Sequence, residues 1–312
     1  MRHLFILDPL DLLHIESDTS IAFLQEAWRR GHVVETCGIG QLGQRDGTPF
    51  AHAVVTTAGS GDRWYAAAPS QRVALSDYDA VWMRKDPPFD DAYLFATLLM
   101  SRAAGPVMVN DPAALRDENE KLFALEFPEL CPATLVSSRV EELLAFRDEM
   151  GGQMIVKPLD GNGGRGVFHV TKGDRNARAI VEAGTLEGRR LLMAQQYVPE
   201  VRDGDKRIIL IEGEPAGAVL RVPAEDEARA NLHVGGRAES TALSDREREI
   251  CARIGPRLRE KGVIFAGIDV LGDYLTEINI TSPTGVREIE RLDGTRLEAQ
   301  VLDAVEARRA AR

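Results

Sequence analysis

The sequence predicts an α/β protein, with an N-terminal open parallel sheet followed by two α+β lobes. Three observations predict it. The chain opens as strand, helix, strand: Leu4–Leu7, a helical spacing from Ile21 to Arg30, then Val33–Thr36. A glycine-rich turn at 161–166 lies between two short strand patterns, Gln153–Lys157 and Val167–Thr171. A third pattern, 265–280, reads as two strands joined at Gly272-Asp273, the second alternating with period two.

The elements follow in order. Ser17, Asp18, Thr19 and Ser20 offer N-caps to the first helix, and Gly31 stops it. The first turn, Asp8-Pro9-Leu10-Asp11, has no glycine, so it holds no dinucleotide. Ala80–Arg84 is a further strand, and Arg84-Lys85-Asp86-Pro87-Pro88 lies at its carboxyl end, the edge where open sheets place ligands. Val107–Asn110 is another strand, closed by Asp111-Pro112. From 118 the pattern changes: Asn119–Phe127 reads as helix, Pro132–Val136 leads into a strand, and Glu141–Met150 is a helix. Beyond it, 207–211 and 217–222 form a hairpin, 224–237 is a polar loop, and Asp245–Lys261 is an amphipathic helix. The expected division is 1–117, 118–194 and 195–312.

Bulk numbers exclude several functions. With 38 Lys+Arg against 49 Asp+Glu, the net charge of −11 argues against general nucleic-acid binding. No apolar run reaches membrane-spanning length, and Asp8 arrives too early for a signal peptide. Cys37, Cys131 and Cys251 are too far apart for a Cys-x-x-Cys metal site or a disulfide framework. The expected setting is a reducing cytoplasm.

The segment from Val156 to Phe168 carries the most chemistry. Lys157 precedes Gly161, Asn162, Gly163, Gly164 and Gly166, and glycines let backbone N–H groups wrap an anion. The spacing Gly161-x-Gly163-x-x-Gly166 matches a dinucleotide fingerprint only if a helix follows, and a strand pattern follows instead. No Gly-Lys-Ser/Thr ends the loop, so it is not a P-loop. It reads as a hairpin lid over the phosphates of a nucleotide. Downstream, Glu277 and Asn279 share one strand face and Asp269 lies opposite within a residue of register. Three hard oxygen donors suit Mg²⁺, with Mn²⁺ as a substitute, completed by water and phosphate.

A lysine-led glycine lid followed by an acid and a Glu-x-Asn strand resembles the ATP-grasp fold. Further segments resemble the bacterial glutathione synthetase family: Met83-Arg84-Lys85-Asp86-Pro87-Pro88, Asn119-Glu120-Lys121, Asp203-Gly204-Asp205-Lys206-Arg207, Asn231-Leu232, Gly235-Gly236-Arg237 and Thr276–Gly285. The resemblance spans the chain in order. It implies an ATP-dependent ligase that activates γ-glutamylcysteine as an acyl phosphate and joins it to glycine, with no serine, cysteine or histidine nucleophile. Lys121 and Lys157 are then expected on ATP phosphates, Gln195, Gln196, Tyr197 and Val198 along adenine, and Asp205 on the ribose. Asp269, Glu277 and Asn279 are expected to hold Mg²⁺, and Arg207 and Arg221 to stabilise the acyl phosphate. Arg84 and Arg287 are expected on the dipeptide carboxylates, with Arg229, Asn231, Gly235 and Gly236 in the substrate loop. A homo-oligomer, tetrameric in this family, is implied too.

One departure stands out. Pro223 to Asn231 lacks the glycines typical of the family here, so a stiffer, more ordered loop is expected. Two rival readings remain at this point. One is another ATP-grasp ligase, of D-alanine–D-alanine or glutamate-adding type; the other is a non-catalytic nucleotide-binding regulator.

Overall fold

The computed structural model describes residues 1–60, 63–223 and 236–312. Strand β1 (Arg2–Ile6), helix α1 (Thr19–Arg29) and strand β2 (Val33–Cys37) form the opening unit, and β1 pairs parallel with β2. Helix α1 starts at Thr19 because Asp18 accepts hydrogen bonds from the Ser20 and Ile21 N–H groups at 2.6 and 3.2 Å. Four antiparallel strands follow that the sequence reading did not anticipate: β3 (Leu42–Arg45), β4 (Thr48–Ala58), β5 (Tyr65–Ala67) and β6 (Gln71–Ala74). Strand β4 pairs with β2 and carries the other three. Then come β7 (Ala80–Met83), α2 (Asp91–Met100), β8 (Val107–Val109) and α3 (Pro112–Asp117). Strands β2, β1, β7 and β8 form the expected open parallel sheet.

Helix α4 (Glu120–Ala124) packs Phe123 and Ala124 into the core of the first and third parts, and the second lobe contains β9 (Thr134–Ser137), α5 (Val140–Glu149), β10 (Gln153–Pro158), β11 (Phe168–Thr171), α6 (Ala177–Gly184) and β12 (Leu192–Gln196). Its antiparallel sheet has the order β11-β10-β12-β9, and Leu143, Phe146, Met154 and Val181 belong to a core of its own. Strand β12 runs across position 194, so this sheet continues to Gln196, whose N–H donates to the Ala133 carbonyl at 2.9 Å.

The third part holds β13 (Asp205–Ile211), β14 (Glu214–Val222), β15 (Arg237–Ser240), α7 (Asp245–Glu260), β16 (Phe265–Leu271), β17 (Tyr274–Asn279), α8 (Val286–Asp293) and α9 (Leu297–Ala310). Its sheet order is β15-β14-β13-β16-β17. This sheet shares its core with the N-terminal one, since Ile6, Val81 and Met83 cluster with Ile208, Ile268 and Ile278. Asn110 dovetails the two. Its Nδ2 donates to the Phe265 and Ile280 carbonyls, both at 2.7 Å, and its Oδ1 accepts from the Ile264 and Phe265 N–H groups at 2.8 and 3.0 Å.

A chain of rings crosses the N-terminal sheet. Trp82 Nε1–H donates to His3 Nδ1 at 3.0 Å, which leaves the His3 proton on Nε2, and that nitrogen lies 3.0 Å from His32 Nδ1. His32 Nε2 in turn lies 3.6 Å from Glu306 on α9. Burial, and then the neighbouring His32, lower the His3 pKa to about 3. Among the described residues, no helix is long and apolar enough to cross a membrane.

Candidate active site

The site is assembled on one face of the third sheet. Antiparallel register sets Asp269 opposite both Arg207 and Glu277, Gly267 opposite Asn279, and Asp205 opposite Arg221. Directly opposed residues share a face and so do residues two apart, which brings all seven positions together. The register read from the sequence for Asp269 and Glu277 is the one observed, and a bulge follows Asp269.

Two buried arginines converge on Asp269. Arg207 binds it through two hydrogen bonds, Nε to Oδ1 at 2.5 Å and Nη2 to Oδ2 at 2.9 Å, and Arg221 Nη2 approaches Oδ1 at 3.0 Å. Burial alone would raise the Asp269 pKa, but Arg207 and Arg221 outweigh it and hold the carboxyl well below the usual range. Arg221 also binds Asp205, Nε to Oδ1 at 2.8 Å and Nη2 to Oδ2. Asp205, the ribose candidate, therefore gives both oxygens to a guanidinium here. Gly267 makes the arrangement possible: a Cβ there would lie 3.0 Å from Arg207 Cδ and 2.9 Å from Pro283 Cβ.

Two buried lysines face Glu277, Lys157 from the second lobe and Lys121 from α4, which packs on β17. Lys157, at the end of β10, lies 3.5 Å from Glu277 Oε1 and Lys121, in the first turn of α4, 3.8 Å. Asn119 caps α4 and also donates from Nδ2 to the Leu159 carbonyl at 2.9 Å, tying this helix to the glycine segment. Lys121 Nζ donates to Glu120 Oε1 at 2.5 Å and to the Gly161 carbonyl at 2.7 Å. Burial would depress the Lys121 pKa, yet Glu277 and Glu120 hold it above its ordinary value. For Lys157 burial prevails over Glu277, and the pKa is lowered. Glu120, which the sequence reading passed over, is pushed up by burial and then by Glu277. Its only signal in the sequence was its place beside Lys121.

The glycine segment is a hairpin connection between β10 and β11, as read, and no helix follows Gly166. Gly163, Gly164 and Gly166 all have positive φ, at +59°, +77° and +75°, which side chains with a Cβ rarely adopt. The strand end at Gln195-Gln196-Tyr197-Val198 borders the same lobe. Gln195 Nε2 donates to Thr134 Oγ1 at 3.0 Å, Gln196 is exposed, Val198 is buried, and Tyr197 stacks on His169 at 4.2 Å.

Arg84 and Arg287 converge on α1. Arg84 is buried, donates to Ser20 Oγ at 3.1 Å and to the Pro283 carbonyl at 3.2 Å, and keeps Nη1 without a partner. Arg287 donates from Nη2 to Gln25 Oε1, and its buried Nε has no partner. Arg229, Asn231 and Gly235, and the ordered loop expected around them, lie outside the described residues; Gly236 immediately precedes β15.

The residues present fit a hard divalent cation. Asp269 and Glu277 supply carboxylate oxygens, and the buried Nδ2 of Asn279 lacks a partner, so its amide is free to turn its oxygen into the site. Among the described residues no three His, Cys, Asp or Glu side chains group as metal ligands. The three thiols are buried, and burial pushes Cys37 and Cys251 up to about 12 and Cys131 to about 11, so none is poised as a nucleophile.

Comparison with known proteins identifies the family. Residues 1–116 match the prokaryotic glutathione synthetase N-terminal domain, and residues 120–294 match the prokaryotic glutathione synthetase ATP-grasp domain. A glutathione synthetase of Brucella melitensis is 48% identical over 306 residues, covering 97% of each chain. One from Gloeobacter violaceus is 47% identical over 311 residues, covering 97% of this chain and 96% of the relative. Among solved structures, a RimK-domain ATP-grasp protein of Sphaerobacter thermophilus superposes with a TM-score of 0.64 at 20% identity, covering 98% of this chain and all of that one. A D-cycloserine synthetase gives 0.65 at 17% identity over 98% of this chain and 99% of that one, so the chain shares its fold with both. The chain belongs to the prokaryotic glutathione synthetase family.

Proposed function

We propose that this protein is an ATP-dependent ligase that joins γ-glutamylcysteine to glycine and yields glutathione, ADP and phosphate. The observation that carries the reading is the one-face array. Two lysines face Glu277, and two arginines face Asp269 on the neighbouring strand. Such chemistry needs positioning and charge neutralisation rather than a nucleophilic side chain, because negative charge builds on phosphoryl and carbonyl oxygens.

In this reading the donor carboxylate attacks the γ-phosphate and the glycine amine displaces phosphate from the acyl phosphate. Lys121 and Lys157 bind nucleotide phosphates under the glycine hairpin, with Gly161, Asn162, Gly163, Gly164 and Gly166 offering backbone N–H groups. Gln195, Gln196, Tyr197 and Val198 border adenine, and Asp205 meets the ribose if Arg221 turns away. Asp269, Glu277 and Asn279 would hold Mg²⁺, which neutralises phosphate charge. Arg207 and Arg221 stabilise the acyl phosphate with planar guanidinium groups. The partnerless Nη1 of Arg84 and Nε of Arg287 support a role on the dipeptide carboxylates. Arg229, Asn231, Gly235 and Gly236 are assigned to the substrate loop. Three sub-domains, 1–117, 118–194 and 195–312, a cytoplasmic setting and a tetrameric assembly complete the proposal, supported by family membership.

The test is ADP release from Mg²⁺-ATP with γ-glutamylcysteine and glycine, singly and together. Release only with both substrates is expected, and Glu277→Ala should lower it at least about 1000-fold. Release with neither combination, despite measured ATP binding, would overturn the reading in favour of another acceptor pair or a regulator.

A further inference from the structure

The sheet of the second lobe carries a row of four side chains, of which the roles above use only Gln195. Antiparallel register sets Thr134 of β9 opposite Gln195 of β12, Gln195 opposite Ile155 of β10, and Ile155 opposite His169 of β11. Directly opposed residues share a face, so the row crosses one side of the sheet. Lys157 lies two residues beyond Ile155 and therefore on that same side. Tyr197, just past the end of β12, stacks its ring on His169 at 4.2 Å and 10°. Ile155 is half-buried, an apolar platform with the Gln195 amide on one flank and the ring stack on the other. A flat heteroaromatic base fits such a platform, beside the lysine assigned to nucleotide phosphates.

Counting protons along the row fixes which way the Gln195 amide points. The Pro132 carbonyl has only lone pairs to offer, so the Thr134 hydroxyl, 2.7 Å away, donates to it. A hydroxyl has one proton, so toward Gln195 this one can only accept, and the amide end 3.0 Å from it is Nε2. Oε1, on the other arm of the amide, then points away from Thr134. It accepts from no group among the described residues, and it is not sealed from solvent as Nη1 of Arg84 is. At the corresponding edge adenine carries an amino donor, N6, where guanine carries an oxygen acceptor. Resting on the nucleotide site of the ligase reading, we infer that Thr134 is a specificity-determining positioning residue, which holds Gln195 Oε1 outward to accept from the 6-amino group of a base lying on Ile155. Thr134 itself touches no nucleotide. Without its hydroxyl the amide is free to turn over and present NH₂ to NH₂, which makes no hydrogen bond.

The experiment measures, by calorimetry on the full chain without dipeptide or glycine, the Kd of Mg²⁺-ATP and of Mg²⁺-purine riboside triphosphate. The second nucleotide is the first without its 6-amino group. Wild type should bind ATP about 10-fold more tightly, the worth of one hydrogen bond. Thr134→Val keeps the branched shape and removes the hydroxyl. It should weaken ATP until the two nucleotides bind within about twofold of each other, and leave purine riboside triphosphate within about twofold of wild type. Thr134→Ser, which restores the hydroxyl, should restore the preference. Equal losses on both nucleotides in Thr134→Val would mean a structural role and overturn the inference, as would a preference that survives the substitution. If Thr134→Val folds poorly, wild type decides: equal affinity for the two nucleotides overturns the inference. Wild type that binds neither would overturn the nucleotide site and this inference with it. A chain that binds and discriminates as expected but makes no glutathione would overturn the ligase reading and leave this inference standing.

Discussion

Gly267 decides where a guanidinium can sit. Its missing Cβ leaves the space that Arg207 Cδ and Pro283 fill, so Gly267→Ala must push Arg207 off Asp269. Turnover should fall at least about 10-fold with a stability loss of about 1–3 kcal/mol, checked by ADP release and urea melts. Asp269 itself should stay charged over the working range. Its folded pKa is depressed, so its contribution to stability is present above the unfolded value of about 3.9 and is lost only as pH falls through the lower folded value. A ¹³C titration of its carboxyl should be flat from about pH 4 upward; an inflection above that would mean the arginines do not hold it. Much of this site was legible because alternation along one strand places Glu277 and Asn279 on a shared face. The pairing of Arg221 with Asp205 was not, because the hairpin reads from 207, which leaves Asp205 outside its strand, and a bulge after Ile209 shifts the register.

At the scale of elements, the ring chain joining β7, β1, the turn before β2 and α9 makes stability acid-sensitive. His3 is neutral in the fold and titrates near 6.5 when unfolded, so the unfolded chain takes up a proton first as pH falls. Stability is therefore lost from about pH 6.5 downward, until the folded value of about 3 is reached. The groups facing His3, namely His32, Asp79 and Arg30, do not reverse this direction. Urea melts between pH 6 and 4.5 should show a slope larger in wild type than in His3→Leu by about one proton, or roughly 1.4 kcal/mol per pH unit. Equal slopes would place the acid sensitivity elsewhere. Neither this relay nor strands β3 to β6 was read from the sequence. Histidines at positions 3 and 32 carry no spacing signal, and β4 buries Pro49, Ala51 and Ala53 while Phe50, Val54 and Val55 are only half-buried, so its alternation does not show as a hydrophobic pattern.

For the molecule as a whole, Asn110 matters more than its single side chain suggests. Four backbone groups from the third part of the chain depend on it, so Asn110→Ala should cost about 3 kcal/mol or more in chemical denaturation, since those groups stay buried and unbonded. A loss below about 1 kcal/mol would mean that water replaces the amide. Because this joint and the shared core fuse the first and third sheets, the glycine-bearing lobe is the part with a separate core. Contacts across its mouth include Asn119 to Leu159, Lys121 to Gly161 and Lys157 to Glu277. Two of these three use lysines that a triphosphate would claim. Each of those lysines already has a partner within the chain, Gly161 for Lys121 and Glu277 for Lys157, so a triphosphate draws on charges that the fold itself uses. Affinity for ATP is then a net quantity: the bonds these lysines make to phosphate, less the bonds to Gly161 and Glu277 that they give up.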